Sequence, residues 1–342
     1  MMKHVIYPIT CVLCVLCVLW SFSCSMQSTA LPEARGKEGE IVVVMDKTLW
    51  AGACGDSIRH YLSYPVEGLP APEPMFSLIH QISLTGTTQL VRNLLIIETG
   101  QGYEKASVGI QNEVYAKNQL LITVKAPSAD SIIAYMARHK GALIERFYTR
   151  DRNSYIRYYK NVQAENIQQK VQEKFQANIV IPREYSVGME KDNFLWLARE
   201  ERDITMGILL WKEAYTATEQ LDDNSLLDKM DEMLRHVTGK VEGSYMATVR
   251  KLPADELQSL PEVELPPTVC RTTNNDLYKV QLNGLWQMEN APMGGPYVAV
   301  SMVDAARGQI VTGVGFVFFP RKDKRDIIRK LEAILYTMSP AQ

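Results

Sequence analysis

Residues 297–319 read YVAVSMVDAARGQIVTGVGFVFF, and this stretch decides the fold of the second half of the chain. Two apolar runs, 297–304 and 309–319, flank Arg307 and Gly308, a pair typical of tight turns between paired strands. Apolar side chains alternate in the first run, as expected for a half-exposed antiparallel sheet. The stretch therefore predicts a β-hairpin within a larger antiparallel sheet.

Other patterns extend this sheet on both sides of the hairpin. Apolar residues recur at helical spacing in 162–175, 223–238 and 324–337, so each segment predicts an amphipathic helix. Runs rich in β-branched and aromatic residues predict strands at 179–181, 194–199, 204–215, 245–250 and 277–289. We expect residues 161–342 to form a mostly antiparallel sheet with packed helices.

The first half combines buried strands with helices. Apolar runs at 41–45, 93–98 and 120–124 predict three buried strands, and the proline-rich stretch 65–75 predicts an extended loop. These elements predict an α/β arrangement that differs from the second half.

A long helix is predicted next, with Ser128 as its N-cap and Gly141 as a weak point midway. A shorter helix is expected at 56–64, after a turn at 50–55. We therefore predict a three-layer-like α/β portion at residues 40–160, which makes the whole fold α+β.

The N-terminus has the pattern of an export signal. Lys3 precedes an apolar run at 5–20, and the small residues Ser21 and Ser23 follow it. A charged start, an apolar core and small residues at the exit are typical of a secretory signal peptide. Because the run is shorter than the ~20 apolar residues that span a bilayer, we predict that residues 1–23 are removed.

Cys24 follows the predicted cleavage point directly. This arrangement is typical of a bacterial lipoprotein, in which the cysteine carries diacylglycerol and fatty acids such as palmitate. Ser21 and Ser23 also satisfy the ordinary signal peptidase, so the type of cleavage stays open. The polar residues that follow favour lipidation, because they can tether a folded body to the membrane. We predict a lipid-modified Cys24, a tether at 24–39 and a location in the cell envelope.

Composition and the remaining cysteines add two constraints. A net charge of −2 argues against a nucleic-acid partner, because dedicated nucleic-acid binders are usually strongly basic. Cys11, Cys14 and Cys17 lie within the predicted leader, where cysteine serves as a small apolar residue. Cys54 and Cys270 either form a disulfide in an oxidising compartment or remain two separate thiols.

The short motifs lack the residues that known chemistry requires. Residues 52–57 lack the lysine of a phosphate loop, so a tight turn before a helix is the simpler interpretation. Residues 222–228 lack the glycine and the terminal glutamate of a calcium loop, and they predict an acidic helix start. The four histidines beyond the leader are dispersed: His60, His80, His139 and His236. No catalytic residue, metal site or cofactor is therefore predicted.

Two further segments admit a binding role. Residues 284–297 hold glycines between Trp286 and Tyr297, which suits either a ligand loop or a structural hairpin. Residues 138–160 are basic and aromatic, and they form either an anionic-lipid contact or a solvated helix face with inward tyrosines. The cations are Arg138, Lys140, Arg146, Arg150, Arg152, Arg157 and Lys160, and the aromatic residues are Phe147, Tyr148, Tyr155, Tyr158 and Tyr159.

Several segments together resemble an uncharacterised lipoprotein family of Bacteroidota-type bacteria that carries a single domain of unknown function. The matching segments are 42–46, 72–76, 192–197, 242–246, 284–286, 293–297 and 330–335. The resemblance implies a lipoprotein and assigns no activity. Surface lipoproteins of such bacteria resemble one another in acidic residues after the anchor, and residues 25–29 have none, which favours a protein that faces the periplasm.

The leading hypothesis is a non-enzymatic envelope lipoprotein that binds a protein partner or supports assembly. An envelope hydrolase acting on glycan or peptide is the alternative, with carboxylates from distant segments brought together by folding. A contact protein for anionic lipid is the second alternative, and it depends on residues 138–160.

Overall fold

A computed structural model describes residues 30–252, 263–274 and 276–341, in which helices pack on two large sheets. The predicted leader at 1–23, Cys24 and the first part of the tether lie outside these residues. Among the helices described, none combines the length and the apolar character that crossing a bilayer requires. The predicted α+β class is confirmed.

The first half forms a five-stranded sheet with strand order β2-β1-β3-β5-β4. Its strands are β1 (Glu40–Val44), β2 (Ser77–Gln81), β3 (Asn93–Thr99), β4 (Ser107–Asn112) and β5 (Leu120–Ala126). Its helices are α1 (Lys47–Ala51), α2 (Ala53–Leu62) and α3 (Ala129–Asn161). The pairs are parallel except for β4, which runs antiparallel to β5 at one edge.

Helices cover one face of this sheet. Ile41, Leu95 and Ile122 pack there against α2 and α3. Val42 and Leu94 point to the opposite face, which loop segments cover. The predicted three-layer-like portion therefore has helices on one side and loops on the other.

The second half is built on an eight-stranded antiparallel sheet. Seven strands follow the order β10-β14-β15-β16-β9-β8-β7, and β13 also pairs with β14. They are β7 (Ser186–Lys191), β8 (Phe194–Glu201), β9 (Ile204–Ala214), β10 (Tyr245–Val249), β13 (Thr268–Asn274), β14 (Leu277–Glu289), β15 (Gly294–Asp304) and β16 (Gln309–Phe318). The short strands are β6 (Ala177–Asn178), β11 (Lys251–Leu252), β12 (Val263–Glu264) and β17 (Ser339–Pro340), and the helices are α4 (Glu165–Phe175), α5 (Asp223–Leu234) and α6 (Arg325–Tyr336).

The predicted hairpin is formed by β15 and β16, and Gly308 takes a left-handed φ of 58° in its turn. The expectation of a half-exposed sheet is wrong for these strands. Val298 and Val300 pack against α4 and α6, whereas Ala299 and Val314 pack against the α5 side. Because helices cover both faces, nearly every residue of the hairpin is buried.

The predicted turn at 50–55 is also wrong, because α1 and α2 occupy most of it. Asp46 caps α1 by accepting from Thr48 N at 2.7 Å. Gly55 permits the close approach of the two helices, since a Cβ there would lie 1.9 Å from the carbonyl oxygen of Trp50.

Other predicted boundaries change in smaller ways. The strand predicted at 179–181 is replaced by the two-residue β6, and the patterns missed the longer strands β2, β4, β7 and β13. The helix predicted at 162–175 begins three residues later, and the one predicted at 223–238 ends at Leu234. The predicted N-cap is confirmed, because Ser128 Oγ accepts from Ser131 N, and α3 continues unbroken through Gly141.

The two halves meet where α3 packs against α6. Asp151 of α3 accepts from Gly39 N at 2.7 Å. Glu73 accepts from the backbone nitrogens of Lys324 and Arg325, each at 2.8 Å, and thereby caps α6 from the first half of the chain. These contacts fix α3 against the body of the protein and leave its other side free.

Candidate functional site

A groove runs between the free side of α3 and the β4–β5 end of the first sheet. It has a cavity volume of about 550 Å³, within the size range of small-ligand sites. Side chains with cationic, amide and hydroxyl groups dominate its lining. The residues from the sheet side are Ile110, Asn112, Glu113, Asn118, Gln119 and Leu120, and those from α3 are Ala142, Glu145, Arg146, Thr149, Arg150, Asn153, Ser154 and Arg157.

The helical period places three arginines of α3 along this groove. Arg146, Arg150 and Arg157 are separated by four and seven residues, so they share one face of the helix. The first and last are ~16 Å apart along the helix axis at 1.5 Å per residue. The groove therefore has a basic wall several residues long.

Only part of this positive charge is neutralised within the protein. Arg150 is nearly buried. It donates to Asp151 Oδ1 at 2.9 Å and to the backbone carbonyl of Asn118 at 2.9 Å. Arg146 and Arg157 are exposed, and in the described part of the chain neither has an ion pair or a hydrogen bond. These two guanidinium groups are available to a ligand.

Both carboxylates in the groove already have partners. Glu113 Oε1 accepts from Asn118 N at 2.8 Å, and Glu145 Oε1 accepts from Thr149 Oγ1 at 2.6 Å. Glu113 and Asn118 have positive φ values of 53° and 61°, which close the turn between β4 and β5. The free cations that the groove offers are therefore Arg146 and Arg157 on the α3 side.

The opposite wall is the open edge of the sheet. β4 is the last strand in the order, and all six of its residues are exposed. Glu113 N donates to Gln119 O just beyond the end of β4. In an antiparallel pair, every second residue bonds to the partner strand, so the residues of β4 that bond to β5 alternate with residues that do not. By this alternation the backbone groups of Val108, Ile110 and Asn112 point away from β5, toward solvent.

The segment that was predicted to be a tether enters the fold beside the groove. Ala34 N donates to Lys117 O at 3.1 Å, and Lys117 N donates to Pro32 O at 2.8 Å. Asn118 Nδ2, on the groove lining, donates to Glu33 Oε2 at 2.9 Å. The first described residues of the tether thus reach the same end of the molecule as the groove.

The inward side of α3 carries a buried charge cluster instead. Tyr148 donates to Glu332 of α6, and Arg152 Nη1 lies 4.0 Å from the same carboxylate. Arg152 also stacks on the Tyr336 ring at 3.8 Å, and Arg329 lies over the Tyr148 ring at 4.8 Å. This cluster joins the two halves and has little open volume.

Burial governs ionisation in this cluster. It raises the pKa of Glu332, although the hydrogen bond from Tyr148 and the charges of Arg152 and Arg329 act in the opposite direction. Lys279 Nζ also lies over the Tyr336 ring, at 5.6 Å, and donates to Met338 O at 2.6 Å. Burial, with a smaller contribution from Arg152, lowers the pKa of Lys279 to about 8.

The basic and aromatic stretch predicted at 138–160 is thus divided between two environments. Phe147, Tyr155 and Tyr159 are buried, which confirms the inward-tyrosine alternative, whereas Tyr158 is exposed. Arg150 and Arg152 turn inward to partners, so the free positive charge is smaller than a count of residues suggests. The exposed cations are Arg138, Lys140, Arg146, Arg157 and Lys160.

The weaker motifs have structural roles. Asp56 pairs with Arg59, and Asp223 pairs with Arg271 at the start of α5. Each of the four histidines contacts an aromatic ring. In the described ranges, no three His, Cys, Asp or Glu side chains are placed to hold a metal ion.

The remaining candidates are also part of the framework. Trp286 is buried and donates to Val317 O at 3.3 Å, and Tyr297 packs over Gly284, so 284–297 is a structural hairpin. Cys54 is buried in α2 and Cys270 is exposed on β13, and both are free thiols. The disulfide alternative is therefore not formed.

Sequence reasoning found the α3 arginines of the groove but missed its other wall. Asn112 belongs to β4, an exposed strand without an apolar pattern, and Asn118 and Gln119 lie in the turn that joins it to β5. The asparagines and the Glu113–Asn118 turn are a weak turn signal that could have placed this hairpin.

Comparison with solved structures gives distant likenesses only. The Saccharomyces cerevisiae Ran-binding protein Mog1p is 10% identical, with a TM-score of 0.30, over 49% of this chain and 91% of that one. Human StAR-related lipid transfer protein 5 is 9% identical, with a TM-score of 0.24, over 54% of this chain and 94% of that one. Such scores carry no argument about function. No curated protein matches the chain.

Two family models match the chain. The one described as Domain of unknown function (DUF8532) matches residues 34–160, and the one described as Domain of unknown function (DUF4837) matches residues 164–337. The expected domain of unknown function is confirmed, although two models match where one was expected. Because its match spans half of the sequence, the chain belongs to the DUF4837 family.

Proposed function

We propose that the protein is a lipid-anchored protein of the cell envelope, facing the periplasm, that binds a partner in the groove beside α3. The observation that carries this proposal is the pair of free guanidinium groups, Arg146 and Arg157, in an open groove of about 550 Å³. Unpaired arginines in a concave site are suited to binding carboxylate or phosphate groups.

The chemistry of the groove supports binding more than catalysis. Its two carboxylates, Glu113 and Glu145, are occupied as acceptors for Asn118 and Thr149. A glycoside hydrolase needs two carboxyl groups that face a shared substrate. The groups left for a ligand are the guanidinium groups of Arg146 and Arg157 and the amides of Asn112 and Asn153, which bind a ligand without transferring protons at neutral pH.

The tether would hold this groove close to the membrane. Pro32 and Ala34 contact Lys117, next to Asn118 of the groove. From Cys24 to Pro32 the chain spans at most ~29 Å when fully extended. A lipid on Cys24 would therefore keep the groove within reach of proteins in the same membrane.

Photo-crosslinking in intact cells tests the binding proposal. A photoreactive amino acid replaces Asn153, which lines the groove, or Asn166, an exposed asparagine on α4 outside it. We expect an adduct from position 153 that Arg146→Ala/Arg157→Ala weakens, and none from position 166. Equal adducts at both positions, or none at either, would contradict a binding groove.

Metabolic labelling tests the anchor separately. Cells that express the full chain are grown with an alkyne analogue of palmitate, and the purified protein is assayed for label. We expect label on the wild type and on Cys54→Ala, and none on Cys24→Ala. An unlabelled wild type, or label that survives Cys24→Ala, would remove the lipid anchor from the proposal.

A further inference from the structure

We infer that the groove binds an extended acidic polypeptide segment, which pairs with the open edge of β4 as an added strand and places alternate carboxylates beside α3. This inference rests on the proposed binding function and names its partner class. Such strand addition derives its affinity from main-chain hydrogen bonds and its specificity from alternate side chains.

The outer edge of β4 is unprotected. Its sequence, Ser-Val-Gly-Ile-Gln-Asn, contains no charge and no proline, and its pairing with β5 has no bulge. Val108 and Ile110 are each 40% exposed on the face toward α3. Exposed sheet edges are normally blocked by charges, prolines or bulges, because they recruit other strands.

The edge strand β7 of the second sheet shows the normal protection. It also begins Ser-Val-Gly, but a register shift lies between Val187 and Met189, and charged residues follow. Glu190 is held by Lys170 at 2.7 Å and by Lys174 at 3.3 Å. The same chain therefore blocks one edge and leaves the other open.

The backbone donors and acceptors of the β4 edge are aligned for an added strand. The backbone groups of Val108, Ile110 and Asn112 point outward, as the bond from Glu113 N to Gln119 O indicates. An added strand would satisfy them without disturbing the inner ladder. Its side chains on the α3 side would lie next to Ile110, within the groove.

The charge of the groove selects its occupant. Arg146 and Arg157 line the groove without partners in the described structure, so the segment should be acidic. A second copy of this chain is disfavoured, because two β4 strands paired antiparallel would bring two α3 basic walls to the same face of the joined sheet. Like charges placed together there would repel.

Peptide binding to the purified full-length protein tests the main-chain pairing. The probe is a fluorescent eight-residue peptide of alternating Val and Glu, read by anisotropy, with a Val–Lys peptide as its control. Ile110→Pro removes one outward N–H, and Ile110→Ala removes only the side chain. We expect Ile110→Pro to bind at least about fivefold more weakly than Ile110→Ala, the effect of one hydrogen bond.

N-methylation of the peptide gives a second measurement that leaves the protein unchanged. The Val–Glu peptide is methylated at every second nitrogen, in either of the two phases. One phase directs its methyl groups toward β4 and should lose binding, whereas the other directs them to solvent and should bind like the unmodified peptide. Equal binding of both phases would overturn strand pairing even if Ile110→Pro fails to fold.

Charge variants test the selection of an acidic segment. Arg146→Ala/Arg157→Ala should weaken binding of the Val–Glu peptide by about fivefold, the effect of two partly exposed ion pairs. Arg138→Ala/Lys160→Ala removes the same charge from exposed positions of α3 outside the groove, and should change binding less than twofold. Equal losses in both double variants would indicate a non-specific charge effect and overturn the inference.

The crosslink at position 153 separates the two proposals. An adduct that persists in Ile110→Pro as strongly as in Ile110→Ala retains the binding function and overturns strand addition. An adduct that mass spectrometry identifies as a phospholipid, with no binding of the Val–Glu peptide, would assign the groove to anionic lipid. If the wild type gives neither an adduct nor peptide binding, both proposals are rejected.

Discussion

The two sides of α3 use the same residue type in opposite ways. On the inward side, Arg152 is 13% exposed, contacts Glu332 and stacks on Tyr336. On the outward side, Arg146 and Arg157 are exposed and have no partner among the described residues. A guanidinium that joins two halves of a fold is thus separated by a few residues from one that is free for a ligand.

This difference shows that charge alone does not identify a binding face. The inward arginine is desolvated, so its energetics depend on the groups that compensate it. The outward arginines remain hydrated, and their interactions within the protein contribute little to stability. Substitutions on the two sides should therefore differ in kind: one side affects folding and the other affects binding.

Removal of the inward acceptor should have the largest effect. Glu332→Ala leaves the Arg152 and Arg329 guanidinium groups and the Tyr148 hydroxyl without their shared carboxylate. We expect the free energy of unfolding to fall by about 3–5 kcal/mol, the usual effect of breaking a buried ion pair. Urea denaturation followed by circular dichroism measures this change.

Two variants serve as controls for that measurement. Glu332→Gln loses the negative charge but keeps an oxygen that can accept from Tyr148, so it should lose less stability than Glu332→Ala. Glu173→Ala removes an exposed carboxylate of α4 and should change stability by less than about 0.5 kcal/mol. Similar losses in all three variants would mean that the buried cluster has no special role.

The same substitution on the two sides of α3 is the sharpest form of the comparison. Arg152→Ala should destabilise the fold by about 2–3 kcal/mol, because Glu332 keeps a buried charge and Tyr336 loses its stacking partner. Arg146→Ala should remain within about 0.5 kcal/mol of wild type. Thermal melts of both variants in the same buffer compare them. Equal shifts of the melting temperature would contradict the distinction between the two sides of α3.

Ionisation of Lys279 tests how far the inward environment extends. Its pKa is lowered to about 8 by burial, with a smaller contribution from Arg152, whereas an unfolded lysine titrates near 10.5. Between these values the unfolded chain holds the additional proton, so stability should rise as pH increases above 8. The slope is at most ~1.4 kcal/mol per pH unit.

Denaturation at several values between pH 7 and 9.5 measures this slope. Lys279→Met should flatten it, and Arg152→Ala should move the rise to higher pH by removing a nearby positive charge. The range stops below pH 10 because buried tyrosines such as Tyr155 have raised pKa values and would add a loss of stability there. An identical slope in wild type and Lys279→Met would show that Lys279 is not the group that causes the rise in stability.

The sequence predicted those elements in which packing produces a periodic pattern of apolar residues. Such a pattern marks the hairpin at β15–β16, the three buried strands of the first half and α3 with its Ser128 cap. β4 has none, because all six of its residues are exposed and no apolar alternation marks it. The groove was missed for the same reason, since one of its walls is that strand.

The division of the α3 cations could have been predicted in part. The period of 3.6 residues places Arg146, Arg150 and Arg157 on one face and Arg152 on another. Which face turns inward depends on Glu332, which lies 180 residues later and meets Arg152 only through the packing of α6. Sequence spacing cannot supply such a contact, so the list of seven cations in 138–160 overstated the free charge.

The smallest expected effect has the opposite sign and tests whether α3 is one continuous element. Gly141 lies within α3, and a Cβ there would meet no atom within 4 Å. Gly141→Ala should therefore stabilise the fold by about 0.5–1 kcal/mol, the usual gain in helix propensity.

Gly55→Ala is the matched control and should destabilise the fold, since its Cβ would lie 1.9 Å from Trp50 O. Thermal melts of both variants give the signs. A loss of stability in Gly141→Ala would mean that α3 bends at this glycine, and a bend there would change how the basic wall from Arg146 onward faces β4.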